Sequence, residues 1–350
     1  MSARATLTDV ARSAGVSIST ASLAFSGAGP ISATTKARVL AAAADLGYSG
    51  PNPVARSLRR GHSGVIGIVI GNALRHTFRD PVSIQSLDGV ASTLGASGFG
   101  MLLIPTDDAS GEANDLLRHG AMDAAILLNG ATAASPSVKA LRARAMSTVH
   151  VDGRSAGATS VRVAEEEGMR SLAEHLRSLG HERIGLATLP WHLRTRQGAV
   201  ELSSARPATR SFTALRLAGV RAAGVIPVAV EESAGSLVEE GIRAGHALLD
   251  HEPRPTALIG FSDLLAAGLL LAARERGLRV PQDLSVAGFD GVDLPWLGED
   301  RLTTVVQPIA EKGRLAAVAA IDLAQGRRPR PALLAVELRP GTTTGPAPAP

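Results

Sequence analysis

The chain has 350 residues, of which 45% are hydrophobic, so it is long enough for more than one folded unit with a sizeable core. It has no cysteine, which excludes disulfide bonds, thiolate catalysis and cysteine-ligated zinc. Residues 1–62 contain seven basic and two acidic residues, a net charge of +5, and the remaining residues are close to neutral. A basic head on a near-neutral body indicates a polyanionic partner.

Three helical patterns occupy residues 7–48. Thr8 can cap the first helix, which Gly15 ends, and Ser17 can cap the second. Ser32 can cap a third helix over 33–46, and its inward face is predicted to contain Val39, Leu40, Ala43 and Leu46. The turn Ala14-Gly15-Val16 between the first two helices is typical of a helix-turn-helix, whose second helix enters the DNA major groove.

The second helix presents short hydroxyls and two apolar side chains outward. Hydroxyls can bond phosphates or base edges, and apolar groups can contact thymine methyls. The residues predicted to face outward or sideways are Ser17, Ile18, Ser19, Ser22 and Leu23.

Residues 54–60, VARSLRR, could form one or two further helical turns. A helix this short needs a partner, either a second copy or DNA. Leu58 with Arg56, Arg59 and Arg60 is an apolar wedge in a basic collar.

From Val65 onward, continuous apolar runs alternate with helical segments, which predicts parallel sheets covered on both faces in two doubly wound subdomains. The predicted strands are 65–70, 100–105, 124–129, 147–151, 183–188, 256–261 and 284–289. The predicted helices are 82–97, 168–179, 211–223 and 263–277. Asp152 and Asp290 each end a strand, where a carboxylate points into the ligand cleft of such folds.

Motifs for catalysis, cofactors and membranes are missing from the sequence. There is no Gly-x-Ser-x-Gly, no phosphate-binding Walker loop and no paired-histidine metal motif, and the three acidic residues at 165–167 suggest a solvated helix start. No signal peptide or spanning segment is recognisable, which indicates a cytoplasmic protein. We therefore predict no enzymatic activity, no cofactor, no metal and no membrane partner.

The head resembles the LacI/GalR family of bacterial transcription repressors over about 55 residues. The matching segments are TLTDVARSAGVS, the LGY that ends the third helix, and NPVARSL. The resemblance implies that the DNA-contacting residues are Thr8, Ser17, Ile18, Ser19, Thr20, Ser22, Leu23, Ser26, Ser32, Thr35, Tyr48, Asn52, Ala55 and Leu58. Leu23 departs from an arginine that often reads guanine in the family, which leaves the operator sequence open.

The resemblance continues through the core in DPVSIQSLDGV, LGHERIGL, VPQDLSVAGFDGVDL and LTTVVQP. It implies a fold similar to periplasmic sugar-binding proteins, with an effector in the cleft. The implied effector residues are Asp152, Ser262, Asp290 and an arginine, either Arg210 or Arg216. Val82 and Ser83 replace an aromatic pair that often stacks on a sugar, and segment 191–207 is longer than usual.

The predicted organisation is an all-α helix-turn-helix head (1–50), a hinge (51–63), an α/β core (64–340) and a disordered tail (341–350). The predicted subdomains of the core are roughly 64–160 with 294–325, and 161–293 with 326–340. The predicted partners are palindromic double-stranded DNA, a small-molecule effector of the sugar class, and a second copy or a higher oligomer. Two alternatives are a cytoplasmic solute-binding protein with a vestigial head and an enzyme on a doubly wound fold.

Overall fold

The computed structural model describes residues 5–27, 29–50, 62–71, 77–106, 110–128, 132–153, 158–192, 196–202, 209 and 211–349. The chain divides into two compact units, Met1–Ser63 and Gly64–Pro350. The predicted hinge helix, with Asn52, Ala55 and Leu58, lies outside the described residues, as does Arg210.

The first unit contains α1 (Leu7–Ser13), α2 (Ile18–Ser26) and α3 (Ala33–Asp45). Ser17 and Ser32 cap α2 and α3 as predicted. The predicted cap at Thr8 is wrong: Thr6 caps α1, because its hydroxyl and the Asp9 carboxylate each accept a hydrogen bond from the other residue's backbone N–H.

A small core of alanine and valine holds the three helices together. Its buried residues are Val10, Ala11, Ala14, Ala21, Ala24, Val39, Ala42 and Ala43. The predicted inward positions Leu40 and Leu46 are wrong, since their side chains are 42% and 40% exposed. Ala42 lies on the buried face instead.

The first sheet of the second unit is entirely parallel, with strand order β12-β5-β4-β3-β1-β2. Its strands are β1 (Val65–Ile70), β2 (Gly100–Pro105), β3 (Ala124–Leu127), β4 (Thr148–Val151), β5 (Thr159–Val163) and β12 (Ala332–Leu334). Its helices are α4 (Pro81–Ala96), α5 (Asp115–His119), α6 (Pro136–Ala143) and α11 (Ile309–Ala324).

Both faces of the central strands β1 and β3 are buried, as continuous apolar strands predict. Ile66 and Ile68 of β1 belong to the cluster under α4 and α11. Val69, which points the other way, belongs to the cluster under α5 and α6. Where α4 and α11 cross, a Cβ added at Gly89 would lie 2.1 Å from the carbonyl oxygen of Ala310, so only glycine allows this approach.

The second sheet has the order β13-β11-β10-β9-β6-β8-β7, in which the two edge strands β13 and β7 run antiparallel to their neighbours. Its strands are β6 (Ile184–Thr188), β7 (Gly198–Ala199), β8 (Ala229–Glu232), β9 (Ala257–Gly260), β10 (Ser285–Asp290), β11 (Thr303–Val306) and β13 (Glu337–Arg339). Its helices are α7 (Glu165–Ser178), α8 (Ser211–Ala222), α9 (Val238–Leu249) and α10 (Asp263–Glu275), and a 3-10 turn spans Pro295–Leu297.

The chain crosses between the sheets three times, after β5, after β11 and between β12 and β13. The predicted subdomain bounds are therefore wrong in two places. Strand β11 extends the second sheet beside β10, although 294–325 was assigned to the first subdomain. Strand β12 pairs with β5 of the first sheet, although 326–340 was assigned to the second.

The predicted disorder of the C-terminal tail is also wrong over its described part, residues 341–349. Thr343 is fully buried, and its hydroxyl donates to the Val286 carbonyl at 2.7 Å and accepts from the Thr303 N–H at 3.0 Å. Further along, the N–H of Ala347 donates to the Leu179 carbonyl at 2.8 Å. These bonds to β10, β11 and the end of α7 order a segment whose composition alone suggested a flexible chain.

Candidate functional site

The second helix of the first unit presents its N-terminal turn to solvent. Ser17, Ile18 and Ser19 are exposed, with Ile18 52% exposed, whereas Thr20, Ser22 and Leu23 are half-buried. The Ser17 hydroxyl accepts from the Thr20 N–H and lies 2.8 Å from the Ser19 hydroxyl. An exposed isoleucine beside clustered hydroxyls is the arrangement expected of a groove-reading helix.

Leu23 lies where α2 meets the following loop. A Cβ added at Gly29 would come within 3.0 Å of Cδ2 of Leu23, so this side chain packs closely on the loop. The other predicted phosphate contacts surround the helices: Thr8, Ser26 and Ser32 are exposed, and Thr35 and Tyr48 are half-buried. Tyr48 packs edge-on against Phe25 with the ring centroids 5.5 Å apart. The DNA-contacting role of every one of these residues stays a prediction.

A polar cavity of about 110 Å³ lies between the two sheets of the second unit. Its walls come from the carboxyl ends of strands in both sheets, the position where open α/β folds bind ligands. The lining residues are Asp80, Val82, Asp152, Glu165, Leu189, Pro190, Phe212, Arg216, Ala234, Gly235, Ser236, Ser262, Asp290, Gln307 and Lys312. Four of the five predicted effector residues are among them, and the fifth is Arg210.

Arg216 of α8 is the centre of the second-sheet wall. Its Nε donates to Oε2 of Glu165 at 2.5 Å, its Nη1 donates to the Phe261 carbonyl, and its Nη2 lies 3.6 Å from Oδ1 of Asp290. The guanidinium also stacks over the Phe289 ring at 3.7 Å from the centroid. These contacts with Glu165, Phe261, Asp290 and Phe289 together fix the position of the guanidinium group.

Arg216 and its acids are almost fully buried, and burial shifts their protonation. Burial lowers the pKa of Arg216, but the charges of Glu165 and Asp290 raise it more, so its pKa lies above the usual value. Burial raises the pKa of Asp290 well above its usual range and raises the pKa of Glu165, against the opposing charge of Arg216. Burial likewise raises the pKa of Asp80.

The first-sheet wall is built on Lys312, near the start of α11. Its Nζ donates to Oδ2 of Asp152 at 2.6 Å and to Oε1 of Gln307 at 2.7 Å. Gln307 in turn donates from Nε2 to Oδ1 of Asp290 at 2.7 Å. A continuous hydrogen-bonded chain therefore joins the aspartate that follows β4 to the aspartate that ends β10.

Asp152 and Asp290 both have strained backbones. Their φ angles are +54° and +128°, in the positive-φ region that residues other than glycine rarely adopt. Such conformations cost about 1–3 kcal/mol each and cluster at binding sites, where the surroundings hold them in place. Both carboxylates are aimed into the cavity at this cost.

Ser262 and Asp80 line the cavity and also cap helices. The Ser262 hydroxyl accepts from the Leu265 N–H of α10 and from the Ser236 hydroxyl at 2.9 Å. Asp80 accepts from the N–H groups of Val82 and Ser83 at the start of α4. Both side chains are thus oriented before any ligand arrives.

Sequence reasoning misread one residue of the cavity and did not single out several others. Glu165 was interpreted as part of a solvated charge run, which is wrong, because its side chain is 3% exposed against Arg216. Gln307, Lys312 and Phe212 were not singled out. For Lys312 a signal existed: it is one of three lysines in the chain, and it lies on the face of α11 that carries Ile309, Gly313 and Ala316.

A helix-turn-helix unit joined to a two-sheet α/β unit with a polar cleft defines a class of DNA-binding transcription regulators with an effector-binding core. Two family models match: bacterial regulatory proteins of the lacI family over residues 6–52, and the periplasmic binding protein-like domain over 173–344. The chain is 34% identical to the HTH-type transcriptional regulator Rv3575c of Mycobacterium tuberculosis, over 98% of each protein. It is 30% identical to the HTH-type transcriptional repressor CytR of Escherichia coli K12, over 92% of this chain and 91% of CytR.

Among solved structures, the lac repressor dimer bound to operator and the anti-inducer ONPF superposes with a TM-score of 0.77 at 27% identity, over 98% of this chain and all of that one. The chain therefore belongs to the LacI family and is a DNA-binding transcriptional regulator. This confirms the predicted family and fold class. Members of the family are regulators rather than enzymes.

Within the described ranges, no group of three or more histidine, aspartate or glutamate side chains is placed to hold a metal ion. In the same ranges, no helix combines the length and apolar character needed to cross a membrane.

Proposed function

We propose that the protein is a homodimeric repressor whose affinity for a palindromic operator is controlled by a sugar or sugar derivative in the cleft. The observation that carries the proposal is a single chain with a helix-turn-helix unit and a cleft lined by Asp152, Arg216, Ser262 and Asp290. Hydroxyl groups match these side chains, because carboxylates accept and guanidinium donates in the same small volume. A second copy would present a second recognition helix, as a two-fold operator requires.

Two relatives support the finer parts of the proposal. CytR is named a transcriptional repressor, and the lac repressor structure is a dimer on its operator. A tetramer or other higher oligomer would add a second operator contact. A regulator of this kind acts in the cytoplasm, where bacterial DNA lies.

The proposed control runs through the segments that join the two sheets. Ligand bound between Asp152 on one side and Asp290 on the other would change the angle between the sheets. In a dimer, that change would separate the two hinge segments, and operator affinity would fall because hinge helices and DNA order each other. Leu58 would be the minor-groove wedge of the ordered hinge.

A gel shift on DNA upstream of the protein's own gene tests this proposal. Wild-type protein should retard that DNA, Leu58→Ala should bind it more weakly, and a sugar that raises the melting temperature should change the retarded fraction. Equal binding by Leu58→Ala and wild type would refute the hinge mechanism. A failure to bind any operator DNA, with sugar binding intact, would instead favour a solute-binding protein with a vestigial head.

A further inference from the structure

Lys312 places its side-chain ammonium group at the wall of the cavity. Its side chain is 1% exposed, and it reaches Asp152, whose side chain is 14% exposed, at 2.6 Å. An ammonium group has three N–H donors, and Asp152 and Gln307 account for two in the described structure. The pair therefore offers a carboxylate acceptor and an ammonium donor side by side at the cavity wall.

The opposite wall repeats this arrangement. Asp290 lies beside Arg216, and Gln307 connects the two walls by donating to Asp290 and accepting from Lys312. A hydroxyl group both donates and accepts, so neighbouring hydroxyls of a polyol can donate to an aspartate and accept from the adjacent cation. Each wall thus has the donor and acceptor pair that two adjacent hydroxyls need.

The charges of the cavity argue against an anionic ligand. Four acids line it, Asp80, Asp152, Glu165 and Asp290, against the two cations Arg216 and Lys312. Both cations already contact carboxylates. Even with one or two of these acids protonated, the net charge of the lining residues is negative or zero. A phosphate would therefore lose its hydration without gaining a surplus positive charge in the cavity.

We propose that Lys312 and Asp152 make the cleft specific for uncharged polyols and exclude their phosphate esters. The inference rests on the proposed function, because it names the chemical class of the ligand at the same cleft. Lys312 acts as a specificity-determining residue: its ammonium donates to a ligand hydroxyl, and its pairing with Asp152 keeps this wall from attracting anions.

Isothermal titration of the full-length protein tests the inference with D-glucose, D-ribose, sorbitol and myo-inositol, each beside its monophosphate ester. Wild type should bind at least one uncharged member at least tenfold tighter than that member's ester. Lys312→Met should lose at least tenfold in affinity for that polyol. The matched control Lys139→Met, on an exposed position of α6, should bind as wild type does.

Asp152→Asn provides a second variant in case Lys312→Met does not fold. It leaves the ammonium without its carboxylate, so the preference for the uncharged polyol over its ester should shrink at least tenfold. An ester that binds wild type as tightly as its parent polyol overturns the inference and leaves ligand-controlled DNA binding standing. If no compound of either series binds, the polyol class is wrong, whereas the proposed function fails separately if wild type retards no operator DNA.

Discussion

Two glycines of the same helix should respond to alanine with opposite signs. Gly89 of α4 faces α11, and a Cβ there would lie 2.1 Å from the Ala310 carbonyl oxygen and 3.0 Å from the Arg314 nitrogen. Both are backbone atoms, so relief requires the helices to separate. Gly95 is exposed near the end of the same helix, and an added Cβ meets no described atom within 4 Å.

Overpacking of this kind costs about 1–3 kcal/mol, which outweighs the 0.5–1 kcal/mol or so that alanine gains over glycine in a helix. Gly89→Ala should therefore lower the free energy of unfolding of the core, whereas Gly95→Ala should raise it by up to about 1 kcal/mol. Because α11 carries Lys312 and α4 begins beside Asp80, Gly89→Ala should also weaken ligand binding at the cleft.

Urea unfolding followed by tryptophan fluorescence measures the core alone, since both tryptophans, Trp191 and Trp296, lie beyond the first unit. The midpoint should fall for Gly89→Ala and rise or stay for Gly95→Ala. A shift of equal sign and size in the two variants would refute the close approach of the helices.

Three further predictions use the same protein. Burial raises the pKa of Asp263 from 3.8 to about 6, so the folded state binds this proton more tightly than the unfolded state does. The free energy of unfolding should therefore fall by about 3 kcal/mol as the pH rises from below 3.8 to above 6, and urea titrations at each pH should show a smaller fall for Asp263→Asn. Thr343→Ala removes the hydrogen-bond partner of the Val286 carbonyl on β10 and of the Thr303 N–H on β11, so it should lower the free energy of unfolding by about 1–3 kcal/mol in the same assay. The control Thr342→Ala, at an exposed position, should unfold as wild type does. Ile18→Ser should weaken operator binding in a gel shift by about 1 kcal/mol or more. It should not lower the melting temperature, because this side chain is 52% exposed. Unchanged affinity would show that Ile18 is not one of the residues that read the DNA sequence.

The parts of the fold that are predictable from sequence are those fixed by local composition. The runs 65–70 and 124–129 contain β1 and β3, because a strand buried on both faces must be apolar throughout. Strands β11 and β12 carry no such run, and their sheets are decided by pairing with β10 and β5, far away in sequence. The subdomain bounds were wrong at these two strands for that reason.

The residues of the cleft also divide into those that the sequence predicts and those that it does not. Asp152 and Asp290 were predictable because each ends an apolar strand, and the strand ends of a doubly wound sheet share one edge. Glu165 begins a helix with two further acids, a pattern that usually indicates solvent. Its burial depends on Arg216, 51 residues further along the chain, and no local pattern records that contact.

The order of the C-terminal tail also depends on contacts distant in sequence. Its low-complexity composition gives no hint of a partner, yet the hydroxyl of Thr343 completes the hydrogen bonds of Val286 and Thr303 at the side of the second sheet. Composition predicts whether a segment can build a core of its own. It does not predict whether the segment packs onto a core that other parts of the chain have built.

In the proposed mechanism, Gln307 would link ligand binding to the angle between the sheets. It lies in the crossover between β11 of the second sheet and α11 of the first, and Glu165 begins α7 just after the crossover from β5. Gln307 accepts from Lys312 on one side and donates to Asp290 on the other, both at 2.7 Å. A rotation of the sheets that separated Lys312 from Asp290 would lengthen one of these bonds, so a ligand that replaced either partner would lower the cost of rotating. Ligand binding and rotation would then be coupled through a side chain in the connecting segment itself, and the coupling could be no larger than the ligand's difference in affinity for the two arrangements.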